Sequence, residues 1–159
     1  FVGHSDGASI ALIYAGVCPS PRIRGLVLIA PHVFAERQGV ETIAKIQKRY
    51  ETSDLRKKLS RYHGENVECA FRGWSETWLD PGFNDWNIES YLPHIKAPVL
   101  TLRGDDDPYS TSKHVQRIAA GVSGPVDVCG VADCAHAPHL EQPLQTRQKV
   151  VDFVERAAT

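Results

Sequence analysis

Two patterns of apolar positions alternate along the chain. Gly25-Leu-Val-Leu-Ile-Ala30 is an unbroken apolar run, the pattern of a parallel strand buried on both faces. Pro98-Val-Leu-Thr-Leu102 and Val126-Asp-Val-Cys-Gly130 are further short strand candidates, and Phe1-Val2 reads as the stub of another. Between these runs the spacing changes. Asp6 to Ala15, rich in small residues, predicts a helix stopped by Gly16 and Pro19. Apolar spacing also predicts helices over Ser112 to Ala120 and Leu144 to Ala157, with Val150, Val151 and Val154 sharing a face of the second. Strands alternating with helices imply an α/β protein whose mainly parallel sheet is covered on both sides.

The stretch from Val33 to Pro93 interrupts that alternation. It is too long for a simple loop, and Ile43, Ile46 and Tyr50, then Phe71, Trp74 and Trp78, recur at helical intervals. Three regions follow: 1–32 and 94–159 as the α/β core, and 33–93 as a helical insertion. The aromatic residues Phe71, Trp74, Trp78, Phe83, Trp86 and Tyr91 form either an apolar pocket or the core of the insertion itself. Lys45, Lys48, Arg49, Arg56, Lys57, Lys58 and Arg61 read as a solvated helix face.

Composition narrows the partners more than the fold. With 42% hydrophobic and 23% charged residues the chain has ordinary globular character, and a net charge of −1 gives no electrostatic case for nucleic acid or an anionic membrane. No apolar run approaches the roughly 18 residues of a membrane span, and the first residues do not read as a signal peptide. Cys18, Cys69, Cys129 and Cys134 lack metal-type spacing; read as free, buried and reduced thiols, they favour the cytoplasm. No HExxH or other ligand cluster occurs, so neither a metal nor another cofactor is expected. The chain holds no methionine and opens with Phe-Val-Gly running into a reactive-looking motif, which predicts a fragment, with a processed product as the alternative.

That motif is Gly3-His4-Ser5-Asp6-Gly7, a match to G-x-S-x-G between a strand and a helix. Its logic is a sharp turn that pushes the serine oxygen outward, with small flanking residues because larger ones would collide. A serine hydroxyl is a weak nucleophile without a base, so a histidine and an orienting carboxylate are needed. Arg103-Gly-Asp-Asp-Asp-Pro108 follows one strand and Val131-Ala-Asp-Cys-Ala-His-Ala-Pro-His139 follows the next. All candidates therefore lie at or just beyond C-terminal strand ends, where open α/β sheets place their sites. From the residues alone Asp105, Asp106 and Asp107 all compete for the acid, and His136 and His139 for the base. His4 reads as packing or polar support in the turn, and His32 as a pocket or loop residue.

These three segments, Val2-Gly-His-Ser-Asp-Gly7, Pro98 to Pro108 and Cys134-Ala-His-Ala-Pro-His-Leu-Glu-Gln-Pro143, resemble the α/β-hydrolase family from its nucleophile elbow onward. The resemblance implies a catalytic triad of Ser5, Asp107 and His136, with Ala135 standing where glycine is commoner. It implies an acyl-enzyme route with the Asp6 backbone N–H as one oxyanion donor, the second coming from a loop that lies outside this chain. It makes the insertion a helical cap over the active site, and implies that about four strands belong ahead of Phe1. The activity implied is hydrolysis of a carboxylic ester of a small apolar or aromatic substrate. The alternatives are cleavage of a C–C bond in aromatic degradation and a non-catalytic, receptor-like binding role. The partner expected is a small-molecule substrate, with a homo-oligomer or an N-terminal segment as the other candidate.

Overall fold

The structure, a computed structural model, describes residues 1–158. Its sheet holds four parallel strands in chain order: β1 (Val2–His4), β2 (Leu26–Ile29), β3 (Val99–Gly104) and β4 (Val126–Val131). The helices are α1 (Asp6–Val17), α2 (Arg37–Thr52), α3 (Leu55–His63), α4 (Val67–Leu79), α5 (Lys113–Gly121), α6 (Pro138–Glu141) and α7 (Pro143–Ala158). Parallel pairing demands a crossover between successive strands, and every connection carries at least one helical segment.

The chain divides into two compact units, Phe1–Phe34 with Asn87–Thr159, and Ala35–Trp86. In the first, every residue of β2 is buried, as its unbroken apolar run requires. Val27 and Ile29 point to one face, where they meet Leu100, Leu102, Val131, Cys134 and Phe153. β4 is different: Asp127, Val128 and Gly130 are exposed, because it has a neighbour on one side only.

Two details of the helices differ from the periodic reading. Gly16 does not stop α1 but lies inside it. A Cβ there would stand 2.6 Å from the Tyr91 carbonyl oxygen, so the glycine is what lets the 3₁₀ turn Glu89–His94 approach the helix. In α7 the residues facing the core are Thr146 and Phe153, with Val150 and Ala157 half-buried, while Val151 and Val154 are exposed. Spacings of four, three and four put those residues on one stripe, and the bulk of Phe153 against the sheet sets which stripe turns inward.

The second unit has its own core. Tyr50, Val67 and Phe71 are buried, with Ile46, Leu55, Leu59 and Trp74 packed against them. Trp78, Phe83 and Trp86 pack ring against ring in the same unit, whereas Tyr91 belongs to the first unit. The seven basic residues are all exposed, and Arg56 and Lys58 pair with Glu68 and Asp54. The four cysteines are free thiols, but only Cys134 is fully buried; Cys18 and Cys69 are exposed, contrary to the sequence reading. Among the described residues no helix is long and apolar enough to cross a membrane.

Candidate active site

The turn from β1 into α1 places Ser5 in an unusual backbone conformation, φ 55° and ψ −123°. For a residue with a side chain that strain costs about 1–3 kcal/mol, so its surroundings must impose it. The Ser5 N–H donates to the Ile29 carbonyl at 2.9 Å, and the Ser5 carbonyl accepts from Ala8 N–H at 2.9 Å. Among the described residues three non-glycines have positive φ, Ser5, Ala30 and Asp133. Each lies at or just past the C-terminal end of a strand. The strained backbone therefore gathers at one end of the sheet.

The two glycines flanking the serine are not equivalent. A Cβ on Gly3 would stand 2.4 Å from the Gly7 carbonyl oxygen, so only glycine allows the helix to fold back over the strand. A Cβ on Gly7 would meet nothing within 4 Å. The expectation of collision holds at Gly3 and fails at Gly7.

The acidic loop after β3 separates three carboxylates that are equivalent in sequence. Asp105 and Asp106 are exposed, while Asp107 is 2% exposed. Both oxygens of Asp107 lie 3.0 Å from His136 Nδ1. The Tyr109 N–H donates to its Oδ1 and the Ser110 hydroxyl to its Oδ2, each at 2.8 Å. Burial by itself would push the carboxyl pKa up. His136, the Tyr109 N–H and the Ser110 hydroxyl outweigh it and hold the group below the usual carboxylate range.

His136 stands in the loop between β4 and α6. With Nδ1–H donated to Asp107, its Nε2 accepts from the Ser5 hydroxyl at 3.0 Å. Ser5, His136 and Asp107, drawn from three separate loops, thus form one hydrogen-bonded chain. In such a chain the imidazole can take the serine proton, and the buried carboxylate stabilises the cation that results. Asp6 opens α1, so its amide sits at the positive end of the helix dipole, next to Ser5. Among the described residues no group of three His, Cys, Asp or Glu side chains is placed to hold a metal ion.

Three further histidines, His4, His32 and His139, lie near these residues without joining the chain. His139 is exposed and meets the His4 ring edge-on, with ring centroids 4.7 Å apart. His4 Nε2–H donates to the His136 carbonyl at 2.8 Å. The His4 pKa is lowered, first by burial and then by the neighbouring His136 and His139; the bond to the carbonyl acts in the opposite sense. His32 is buried, with its ring centroid 5.9 Å from that of His136. Sequence reading did not single out Ser110 or the Tyr109 amide, and it met Glu141 only within the segment Cys134 to Pro143, without a role; the Glu141 carboxylate accepts from Ala135 and Ala137. The Asp-Pro-Tyr-Ser order after the acid was the available signal for the first two, since an aspartate commonly caps its own turn.

Comparison with known proteins adds the wider context. The sequence model of the alpha/beta hydrolase family matches residues 1–148. Comparison with the curated proteins found no match. Among solved structures, an esterase from Exiguobacterium antarcticum is similar, with TM-score 0.68 and 18% identity over 97% of this chain and 65% of its own. A membrane phospholipase A described as a bacterial virulence factor has TM-score 0.75 and 24% identity, over 99% of this chain and 57% of its own. A proline iminopeptidase from Mycobacterium smegmatis has TM-score 0.66 and 19% identity, over 98% and 64%. The chain therefore spans less than two thirds of the length of each of these three structures. At such identities the likeness is one of fold.

Proposed function

The chain belongs to the alpha/beta hydrolase family, and on that premise we propose that it is a serine hydrolase acting through an acyl-enzyme on carboxylic esters of small apolar or aromatic compounds. The observation that carries this reading is the continuous hydrogen-bonded path from Ser5 Oγ through His136 to the buried Asp107. Ser5 attacks the ester carbonyl while its proton passes to His136 Nε2. The tetrahedral oxyanion forms beside the Asp6 amide at the positive end of α1. Collapse expels the alcohol, which takes the proton from His136 and leaves the acyl group on Ser5. A water molecule then gives its proton to the same nitrogen, attacks the acyl carbonyl, and releases the acid with Ser5 restored. Asp107 keeps the Nδ1–H tautomer and stabilises the imidazolium in both halves.

The Tyr109 ring, 4.5 Å from that of His136 between centroids, puts apolar surface beside the reacting group and supports an apolar ester. The helical unit Ala35–Trp86 enters the chain where the family carries its cap, and on this reading it is that cap. The four free cysteines support a cytoplasmic setting.

A fluorophosphonate probe tests the reading directly. It should add once, to Ser5, and Ser5→Ala should lose both labelling and turnover of p-nitrophenyl butyrate. Labelling of another residue, with turnover retained in Ser5→Ala, would overturn the assignment.

A further inference from the structure

His136 has a second carboxylate beside it that the triad does not use. Glu141, at the end of α6, reaches back along the chain, and its Oε2 accepts from the Ala135 N–H at 2.7 Å while its Oε1 accepts from the Ala137 N–H at 2.8 Å. These are the two amides immediately flanking His136. The carbonyl of His136 is itself taken by His4 Nε2–H at 2.8 Å. Just upstream, the Cys134 carbonyl accepts from Asp106 N–H at 3.0 Å. A Cβ at Gly104 would lie 2.0 Å from the Ala135 oxygen, so this loop rests directly on the end of β3. The backbone around His136 is thus held at the Ala135 amide, the His136 carbonyl and the Ala137 amide.

We propose that Glu141 is a positioning residue for the reaction: its carboxylate clamps the two amides on either side of His136 and so sets where the imidazole stands between Ser5 and Asp107. The inference rests on the serine-hydrolase reading given above. A side chain in a loop inherits the freedom of its backbone, and here both hydrogen bonds of the imidazole require the ring to sit within a few tenths of an ångström. Two bonds from one carboxylate hold the peptide planes on both sides of His136 against rotation. Bonds of this charge-assisted kind are short and roughly twice as strong as neutral ones. The same two bonds draw the Glu141 pKa down, led by the Ala135 amide and then the Ala137 amide.

The plainer role for Glu141 is to cap α6, since Ala137 is the residue just ahead of that helix. Capping alone leaves Ala135 unexplained, because its amide lies two residues before the cap. The two roles also differ in what they change. A cap stabilises the fold, whereas a clamp on His136 acts on the chemical step.

The experiment measures kcat and KM for p-nitrophenyl butyrate in the full chain, well below the melting temperature of each variant, with Ser5→Ala alongside. Glu141→Ala should lower kcat about a hundredfold and Glu141→Gln, which keeps one oxygen acceptor, about tenfold, with KM within twofold. The rate of fluorophosphonate labelling of Ser5 should fall in the same order. If Glu141→Ala does not fold, Glu141→Gln carries the test. Retention of kcat within twofold in the folded variants, or a change confined to KM or to the melting temperature, overturns the clamp while Ser5→Ala remains inactive. Turnover retained in Ser5→Ala would instead remove the triad reading and the clamp together.

Discussion

Gly3 lies so close beneath Gly7 that a Cβ on Gly3 would stand 2.4 Å from the Gly7 carbonyl oxygen. That approach is what bends β1 into α1 and holds Ser5 at φ 55°. Gly3→Ala should therefore destabilise the protein by about 1–3 kcal/mol, as overpacking does, and abolish most esterase activity. Gly7→Ala should do the reverse. Position 7 is helical and open, so alanine should raise stability by about 0.5–1 kcal/mol through helix propensity alone. Thermal unfolding of both variants checks the contrast, and equal losses would show that the two glycines are constrained alike.

Asp107→Asn should lower kcat by about 10⁴, the size seen when the orienting aspartate of such a triad is neutralised. The amide can no longer fix the Nδ1–H tautomer of His136 from a buried position. Asp105→Asn and Asp106→Asn should change kcat little, because both side chains are exposed. A severe loss in Asp106→Asn with mild loss in Asp107→Asn would move the acid to the neighbouring residue.

Removal of the Ser110 hydroxyl tests the support of the acid. Ser110→Ala deletes a buried donor to Asp107 Oδ2, which keeps His136 Nδ1 at 3.0 Å. The expected loss of stability is about 1–3 kcal/mol. Because this hydroxyl helps hold the Asp107 carboxyl in its ionised form, that carboxyl should titrate higher in the variant. The added stability of Asp107 is present above the unfolded carboxyl pKa and disappears as pH falls through the lower folded value. The acid arm of a stability-against-pH curve should accordingly shift to higher pH in Ser110→Ala. An unmoved acid arm would contradict this role.

His4 should titrate below an ordinary histidine, since burial, His136 and His139 all oppose its charge, while Asp107 and the His136 carbonyl favour it. A depressed folded pKa means that its contribution to stability is complete above the unfolded value of about 6.5 and erodes as pH falls through the folded one. NMR titration of the His4 ring reads this directly. A midpoint at or above 6.5 would show that the carbonyl and carboxylate prevail over burial.

Much of the architecture was legible because it depends on local pattern. An unbroken apolar run such as Leu26–Ile29 suits a strand buried on both faces, and the elbow motif between a strand and a helix has few alternative geometries. Those features follow from the backbone and from the order of side chains, so the alternating α/β plan and the position of Ser5 at a strand end could be read from the residues in order. Where several residues shared the same local character, contacts made by the folded chain chose between them. Asp105, Asp106 and Asp107 are chemically identical neighbours, and Asp107 alone meets His136 because β3 and the loop after β4 turn that one carboxylate inward. The inward stripe of α7 and the run of α1 through Gly16 were decided in the same way, by Phe153 against the sheet and by Tyr91 against the glycine. The clamp of Glu141 on the two amides flanking His136 likewise takes shape only once α6 folds back over the loop, since hydrogen-bond partners are set by position in space and not by spacing along the chain.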